Sequence, residues 1–118
     1  MIYFFQQIVS LKCMEEYMKV AMFVMWDMSK TVEVAKAADS VVNMPGRKLL
    51  FNYMFQGKPF DGLQPTTAVS ITVSEVENNE ALTAIEYALG LAGATTWAVP
   101  VYEIPVGKNV ETEKKVRK

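Results

Sequence analysis

Apolar and polar residues alternate with different periods along the chain, and each period predicts an element. Residues 19–26 (KVAMFVMW) form a nearly continuous apolar run, which is typical of a central strand covered on both faces. Residues 68–76 (AVSITVSEV) alternate strictly, which predicts a strand with one apolar face. Residues 47–57 (RKLLFNYMFQG) are rich in aromatics and predict a further strand. Residues 95–105 predict the fourth strand. This strand should lie at an edge of the sheet or contain a bulge, because Pro100 has no N–H to donate to a neighbouring strand.

Two other segments, residues 29–46 and residues 78–90, place apolar residues at helical spacing. The residues that share one face are Val34, Ala38, Val41 and Val42 in the first segment and Leu82, Ile85 and Leu89 in the second. Pro45 and Gly46 end the first helix, and Asn78 or Asn79 caps the second. The loop 57–67 contains two apolar residues, Phe60 and Leu63, and we expect it to close one end of the open sheet face.

The element order is therefore β-α-β-β-α-β, which is the ferredoxin-like α+β arrangement. It predicts a four-stranded antiparallel sheet with strands one and three in the centre. Right-handed crossovers place both helices on one face of this sheet. The other face, here called the open face, carries no helix.

The alternation of residues 68–76 predicts which side chains lie on each face. Val69, Ile71 and Val73 are expected against the helices, so that Ser70 and Thr72 lie on the open face together with Ser74, Asn52, Met54 and Gln56. For the first strand, either the row of Val20 and Trp26 or the row of Ala21 and Phe23 lies there too. A face this apolar should not meet water on a monomer, so we expect a homodimer whose sheets pack face to face.

Composition excludes several classes of function. The chain has no histidine and a single cysteine, Cys13, which removes the commonest general base and a zinc site of the usual kind. We expect no metal and no cofactor. The formal net charge of −1 does not favour nucleic acid, and no apolar run approaches the roughly 20 residues of a spanning helix. No secretory signal is evident, so a cytoplasmic protein without membrane contact is expected.

The βαββαβ order, with MKVAMFVMW at residues 18–26 and ATTWAVPVYEIPVG at residues 94–107, resembles the dimeric α/β-barrel superfamily of ferredoxin-like domains. More narrowly, residues 18–106 are similar to small single-domain members of unknown function. The resemblance implies a homodimeric barrel. The superfamily includes cofactor-independent monooxygenases, lactone isomerases, haem enzymes and the ligand domains of transcriptional regulators. Many of its enzymes use a histidine or a dedicated acid, and this chain has no histidine.

Six residues are candidates for a small ligand site on the open face. They are Trp26, Asp27, Asn52, Gln56, Ser70 and Thr72. The neutral polar residues among them are equally explained as paired interface groups. Asp27 is either a carboxylate whose pKa is raised by apolar surroundings or a helix cap. Arg47 and Lys48 are either an anion site or a solvated pair in a loop, and no catalytic residue is assigned.

Two functions remain open. The first is a homodimeric small-molecule-binding or regulatory module. The alternative is a cofactor-independent monooxygenase or isomerase acting on a small hydrophobic substrate, in which Asp27 or a tyrosine supplies the acid–base chemistry.

Residues 1–17 have no place in the βαββαβ unit, which makes Met18 the expected start of the domain. The peptide MEEYM at residues 14–18 is what a translated purine-rich ribosome-binding sequence would encode, so residues 1–17 are interpreted as a misassigned start or a real extension. Residues 107–118 form a charged tail, which we expect to be disordered or a short frayed helix.

Overall fold

The computed structural model describes residues 17–117, which form an α+β domain with a four-stranded antiparallel sheet and three helices. The strands are β1 (Met18–Asp27), β2 (Arg47–Met54), β3 (Thr67–Val76) and β4 (Thr95–Pro100). The helices are α1 (Thr31–Val41), α2 (Asn79–Leu91) and α3 (Asn109–Arg117), and a 3-10 helix at Met28–Lys30 precedes α1. Within this part of the chain, no helix combines the length and the apolarity that crossing a membrane requires.

The strand order is β2-β3-β1-β4, so strands one and three lie in the centre as the sequence predicts. The apolar run of β1 is paired on both sides, by β3 and by β4. Pro100 is the last residue of the edge strand β4, where its missing N–H interrupts no ladder.

Both long helices pack on the same face of the sheet, here called the helix face. The main core joins Val34 of α1, Ile85 and Leu89 of α2, and the β1 residues Met22 and Val24. Ile85 is 1% exposed and is the largest fully buried side chain of the described residues. The burial of this apolar cluster is the main force that holds the helices on the sheet.

The predicted orientation of β3 is wrong. Met22 lies directly opposite Thr72, and directly opposite residues point to the same side of a sheet. Because Met22 packs under the helices, Thr72 lies on the helix face, with Ser70 and Ser74. The more apolar row, Val69, Ile71 and Val73, lies on the open face. The more apolar row of a strand therefore does not always lie against the helices of the same chain.

A bulge in β2 changes the second prediction about faces. The register shifts between Leu49 and Phe51, so one extra residue enters the strand there. Leu49 stands opposite Ser74 and Asn52 opposite Thr72, which places both on the helix face. Regular alternation had put these two residues on opposite faces and Asn52 on the open one.

Aromatic side chains cover the middle of the open face. The ring of Phe23 in β1 lies 6.2 Å from that of Phe55, 5.7 Å from that of Phe60 and 5.9 Å from that of Trp97. We call these four residues the aromatic cluster. Phe60 belongs to the loop after β2, so this loop folds onto the open face at the position of Phe23.

The chain after β4 differs from the main expectation of disorder. Residues 109–117 form α3, a helix with no buried residue. Ion pairs join Lys108 to Glu111 and Glu113 to Arg117 at helical spacing. The helix is the second of the two alternatives that the sequence left open. Residues 1–16, including Cys13, lie outside the described residues, so the interpretation of Met18 as the start stays a prediction.

Candidate functional site

A cleft of about 320 Å³ opens on the helix face, between α1 and the strands β2 and β3. We call it the helix-side cleft. It is lined by Met22, Val24, Trp26, Thr31, Val34, Ala35, Ala38, Asp39, Val41, Val42, Arg47, Leu49, Asn52, Met54, Ser70, Thr72 and Leu89. Most of these side chains are apolar, and a few polar groups stand among them. This is the composition that small-molecule sites usually have.

The floor of the cleft is the helix face of β1 and β3. Met22 and Val24 are 3% and 4% exposed, so they belong to the core while their outer atoms line the cleft. On the β2 side, Leu49 and Met54 are less buried than the floor, because α1 leaves this edge strand partly uncovered. The cleft therefore follows from a two-helix layer that does not extend over all four strands.

One end of the cleft holds Arg47, which a tight turn places there. Gly46 has φ of 85°, a conformation that favours glycine, and its carbonyl accepts a hydrogen bond of 2.8 Å from Glu77 N. A Cβ at this position would lie 3.0 Å from Glu77 Oε2. The turn brings the first residue of β2, Arg47, opposite Val76 and beneath the end of α1.

The guanidinium of Arg47 is half-buried and forms two hydrogen bonds to neutral groups. Its Nε donates to Ser74 Oγ and its Nη1 donates to Val41 O, both at 3.1 Å. The second bond satisfies a carbonyl at the C-terminal end of α1, where a positive charge is favourable. Burial lowers the pKa of Arg47 from its ordinary value, although the group stays charged. No carboxylate of residues 17–117 forms an ion pair with it.

The other end of the cleft is formed by Trp26 and Thr31. The indole Nε1 of Trp26 donates to Thr31 Oγ1 at 3.0 Å, and this hydroxyl donates in turn to Met28 O at 2.8 Å. The polar edge of the indole is therefore already occupied. The indole ring is what Trp26 can offer to a bound molecule, and its surface is apolar.

Three neutral polar residues lie between the two ends. Thr72 is 8% exposed, Ser70 is partly buried and Asn52 is more exposed. Their side chains take part in none of the side-chain hydrogen bonds of the described residues. No fully buried side-chain N or O atom in the described part of the chain lacks a partner, so the unbonded hydroxyls of Ser70 and Thr72 are not fully buried, and Asn52 is itself exposed.

The structure brings together four of the six candidate residues, but not where they were predicted. Trp26, Asn52, Ser70 and Thr72 all line the helix-side cleft, whereas the sequence placed them on the open face. Gln56 is exposed beyond the end of β2 and is not part of the cleft. That these residues contact a ligand stays a prediction.

Asp27, the sixth candidate, is the last residue of β1 and a helix cap. Its carboxylate accepts hydrogen bonds from Ser29 Oγ, Thr66 Oγ1 and Ser29 N. These bonds lower the pKa of Asp27 from its ordinary value of 3.8 to about 2. The alternative interpretation, a raised pKa in apolar surroundings, is wrong because this carboxylate is exposed.

The sequence interpretation treated Arg47 mainly as part of a solvated loop, and so missed its place in the cleft. The available signal was the order Pro45-Gly46-Arg47, in which a turn directly precedes a strand. An arginine at the first position of a strand can fold back under the helix that the turn has just ended. Lys48, by contrast, stands opposite Glu75 on the open face.

Among the residues that the structure describes, no group of three or more His, Cys, Asp or Glu side chains is arranged to hold a metal ion. The charged side chains that line the cleft are Arg47 and Asp39, and Asp39 is exposed. Arginine cannot act as a general base because it does not lose its proton in proteins. The arrangement is therefore suited to holding a molecule by its shape and charge.

Comparison with known proteins informs the fold only. The sequence matches no family model and no curated protein. The uncharacterized protein TM1266 from Thermotoga maritima has a similar structure, with a TM-score of 0.53 and 13% sequence identity. The likeness covers 74% of this chain and 100% of that one. A putative amidohydrolase/peptidase from Burkholderia cenocepacia, at a TM-score of 0.35 and 8% identity over 73% of this chain and 28% of that one, is too distant to support an argument.

Proposed function

We propose that this protein is a non-catalytic module that binds a small molecule in the helix-side cleft and acts as a homodimer. The observation that carries the proposal is the cleft itself, about 320 Å³ in volume and lined by apolar side chains with polar groups at separate points. Small-molecule sites are usually about 300–1,000 Å³ and have this kind of lining. The strand order and the helices on one face support placement among the ferredoxin-like domains of dimeric α/β-barrel type.

The open face supports the homodimer. Trp97 on the edge strand β4 is 57% exposed and Tyr53 on the edge strand β2 is 63% exposed, so large aromatic side chains on both sides of this face meet solvent. The charged residues of the strands on this face stand at its two ends, with Glu75 opposite Lys19 and Lys48 at one end and Asp27 opposite Thr67 at the other. An apolar centre with charges at its margin is the usual pattern of a protein interface.

The size of the open face is also sufficient. Four strands spaced about 4.8 Å apart and some 27 Å long present about 500 Å² per copy. Two such faces bury about 1,000 Å², which is the threshold for a biological interface and the size of a weak one. A second copy of this chain fits the face because a two-fold axis brings identical apolar centres together.

The alternative function, a cofactor-independent enzyme, has weaker support. It relied first on Asp27 with a raised pKa. The pKa of Asp27 is instead lowered to about 2, so this carboxylate holds protons too weakly to serve as a general base near neutral pH. Of the tyrosines on the strands, Tyr53 lies on the open face and does not line the cleft.

The experiment that tests the binding function uses an uncharged apolar probe. We expect the fluorescence of N-phenyl-1-naphthylamine to rise on addition of the full chain. Ala35→Phe should abolish this rise, because Ala35 is an exposed position of α1 that lines the cleft. The matched control is Ala84→Phe, an exposed alanine of α2 outside the cleft, which should leave the rise unchanged. Equal fluorescence for both variants would contradict the proposal.

A further inference from the structure

The helix-side cleft is polarised along its length. Arg47 stands at the level of Val76 in β3, Asn52 at the level of Thr72, and Met54 at the level of Ser70. Trp26 lies at the level of Ala68, at the opposite end of the strand. A bound molecule would therefore meet a positive charge first, neutral hydrogen-bonding groups next, and apolar side chains last.

The positive end has unused hydrogen-bonding capacity. A guanidinium has five N–H donors, and two of those of Arg47 are taken by Ser74 Oγ and Val41 O. The remaining three have no acceptor among the described residues. The two existing bonds fix the orientation of the group, so little conformational entropy would be lost when a ligand takes the remaining donors.

The charge of the cleft limits what can bind at this end. Arg47 is the one cation among the described residues that line the cleft, and the exposed carboxylate of Asp39 lies along the same cleft. A phosphate with two negative charges would be only half neutralised there. A carboxylate carries one charge, and its two oxygens match the parallel N–H groups of a guanidinium.

The rest of the cleft determines the shape of the ligand. Successive residues of a strand are about 3.3 Å apart, so the four steps from Ser74 to Ser70 span about 13 Å. The hydroxyl of Ser74 is bonded to Arg47, while Ser70 lies opposite Met54 and Val24. A straight apolar chain of about eight carbons is roughly 10 Å long and fits this span, ending near Ser70, two residues before the level of Trp26.

From this arrangement we infer that the ligand of the helix-side cleft is a monocarboxylate with an extended apolar tail, its carboxylate held by Arg47 and its tail directed toward Trp26. This inference rests on the proposed binding function and specifies its ligand class. The hydroxyl of Thr72 and the amide of Asn52 lie where they can bond the carboxylate or a polar group next to it. No covalent step is involved.

The test compares octanoate with octanamide, its uncharged counterpart, on the full wild-type chain by isothermal titration calorimetry at neutral pH. We expect octanoate to bind about tenfold more tightly or better, since hydrogen bonds to a charged group contribute about 1.5–3 kcal/mol each. Equal affinities would overturn the inference while leaving the proposed function standing. If neither compound binds, the inference is overturned, and the proposed function is contradicted as well if N-phenyl-1-naphthylamine also fails to bind.

Variants then assign the preference to a residue. Arg47→Gln should remove the preference for octanoate and keep the binding of octanamide, whereas Arg47→Lys should retain part of the preference. The control is Lys48→Gln, which removes the neighbouring positive charge from the open face and should change neither affinity. A preference that survives in Arg47→Gln, or disappears in Lys48→Gln, would contradict the assignment. The comparison of the two compounds on the wild-type chain does not depend on whether the variants fold.

Discussion

A simple rule would place the apolar side chains of a strand under the helices and its polar side chains on the uncovered face of the sheet. In β3 the two rows are the other way round. The helix face, which is covered, bears the serine and threonine row of β3 with Ser74 and Thr72 buried. The open face bears the valine and isoleucine row together with the aromatic cluster. Small polar residues under the helices leave room for a cleft. A large apolar face without helices is suited to binding a second chain.

The difference between the faces also concerns how each is stabilised. The helix face is completed by α1 and α2 of the same chain, so its stability is a property of the folded monomer. In the proposed homodimer the open face is completed by association, so its contribution would depend on protein concentration. The following changes separate these two contributions.

The largest effect is expected from Ile85→Ala in α2, because Ile85 is 1% exposed in the core of the helix face. We expect a loss of about 2–5 kcal/mol in the free energy of unfolding, the same at every protein concentration. Ile71→Ala on the open face should cost less in dilute solution and more as the concentration rises. Urea denaturation at two concentrations measures both, and identical losses from the two variants at both concentrations would break the comparison.

The second effect is on association. Trp97→Glu places a charge on the open face beside Phe23 of the central strand β1, where Trp97 is 57% exposed. We expect the dimer to dissociate at a concentration at least about 30-fold higher, as for a tryptophan that is a hot spot of an interface. Tyr87→Glu, at a site on α2 that is 67% exposed, is the control and should not change it. Sedimentation equilibrium measures both, and a wild-type chain that remains a 13.3 kDa monomer at micromolar concentration would disprove the dimer.

A smaller effect is expected from Ser74→Ala, which removes the acceptor of Arg47 Nε on the helix face. Ser74 is 4% exposed, so we expect a loss of about 1–2 kcal/mol in the free energy of unfolding. Ser40→Ala is the matched control, because Ser40 is an exposed serine of α1 that bonds only the Ala37 carbonyl. Thermal and urea unfolding measure the stability of both variants. Equal losses in the two serine variants would argue against a structural role of the Arg47 contact.

The smallest effect concerns pH. The pKa of Asp27 is about 2 in the folded chain against an ordinary value of 3.8, so its contribution to stability is complete above pH 3.8 and is lost as the pH falls toward 2. We expect the unfolding midpoint of the wild-type chain to fall more steeply over this pH interval than that of Asp27→Asn. The asparagine keeps a capping side chain but has no carboxylate that takes up a proton. The same slope for both chains would show that other groups cause the acid sensitivity.

The sequence was sufficient to predict the four strands and the two helices that pack on them. The apolar run of β1, the alternation of β3 and the caps at Asp27 and Asn78 all depend on local periodicity, and the structure contains each of them. The position of β4 at an edge followed from Pro100. These features are local or depend on the missing N–H of one residue, so a single sequence contains the information.

Which row of side chains lies under the helices could not be predicted, because both rows of β1 are apolar and neither is marked as the covered one. The bulge near Leu50 then reversed the alternation of β2 before Phe51. The cleft depends on how far α1 extends over the sheet, which is a matter of tertiary packing that no periodicity records. The burial of Arg47 could not be predicted for the same reason, because it depends on where α1 ends.

The central claim is that the helix face binds a ligand and the open face binds a second chain. The methionines report on both, because Met22 and Met54 line the cleft while Met25 lies on the open face opposite Val69. The most direct measurement is a methyl spectrum of the full chain labelled with ¹³C-methionine and assigned by single Met→Leu variants. We predict that octanoate moves the Met22 and Met54 signals and that dilution moves the Met25 signal. Octanoate that moves Met25 alone, or dilution that moves only Met22 and Met54, would contradict the account.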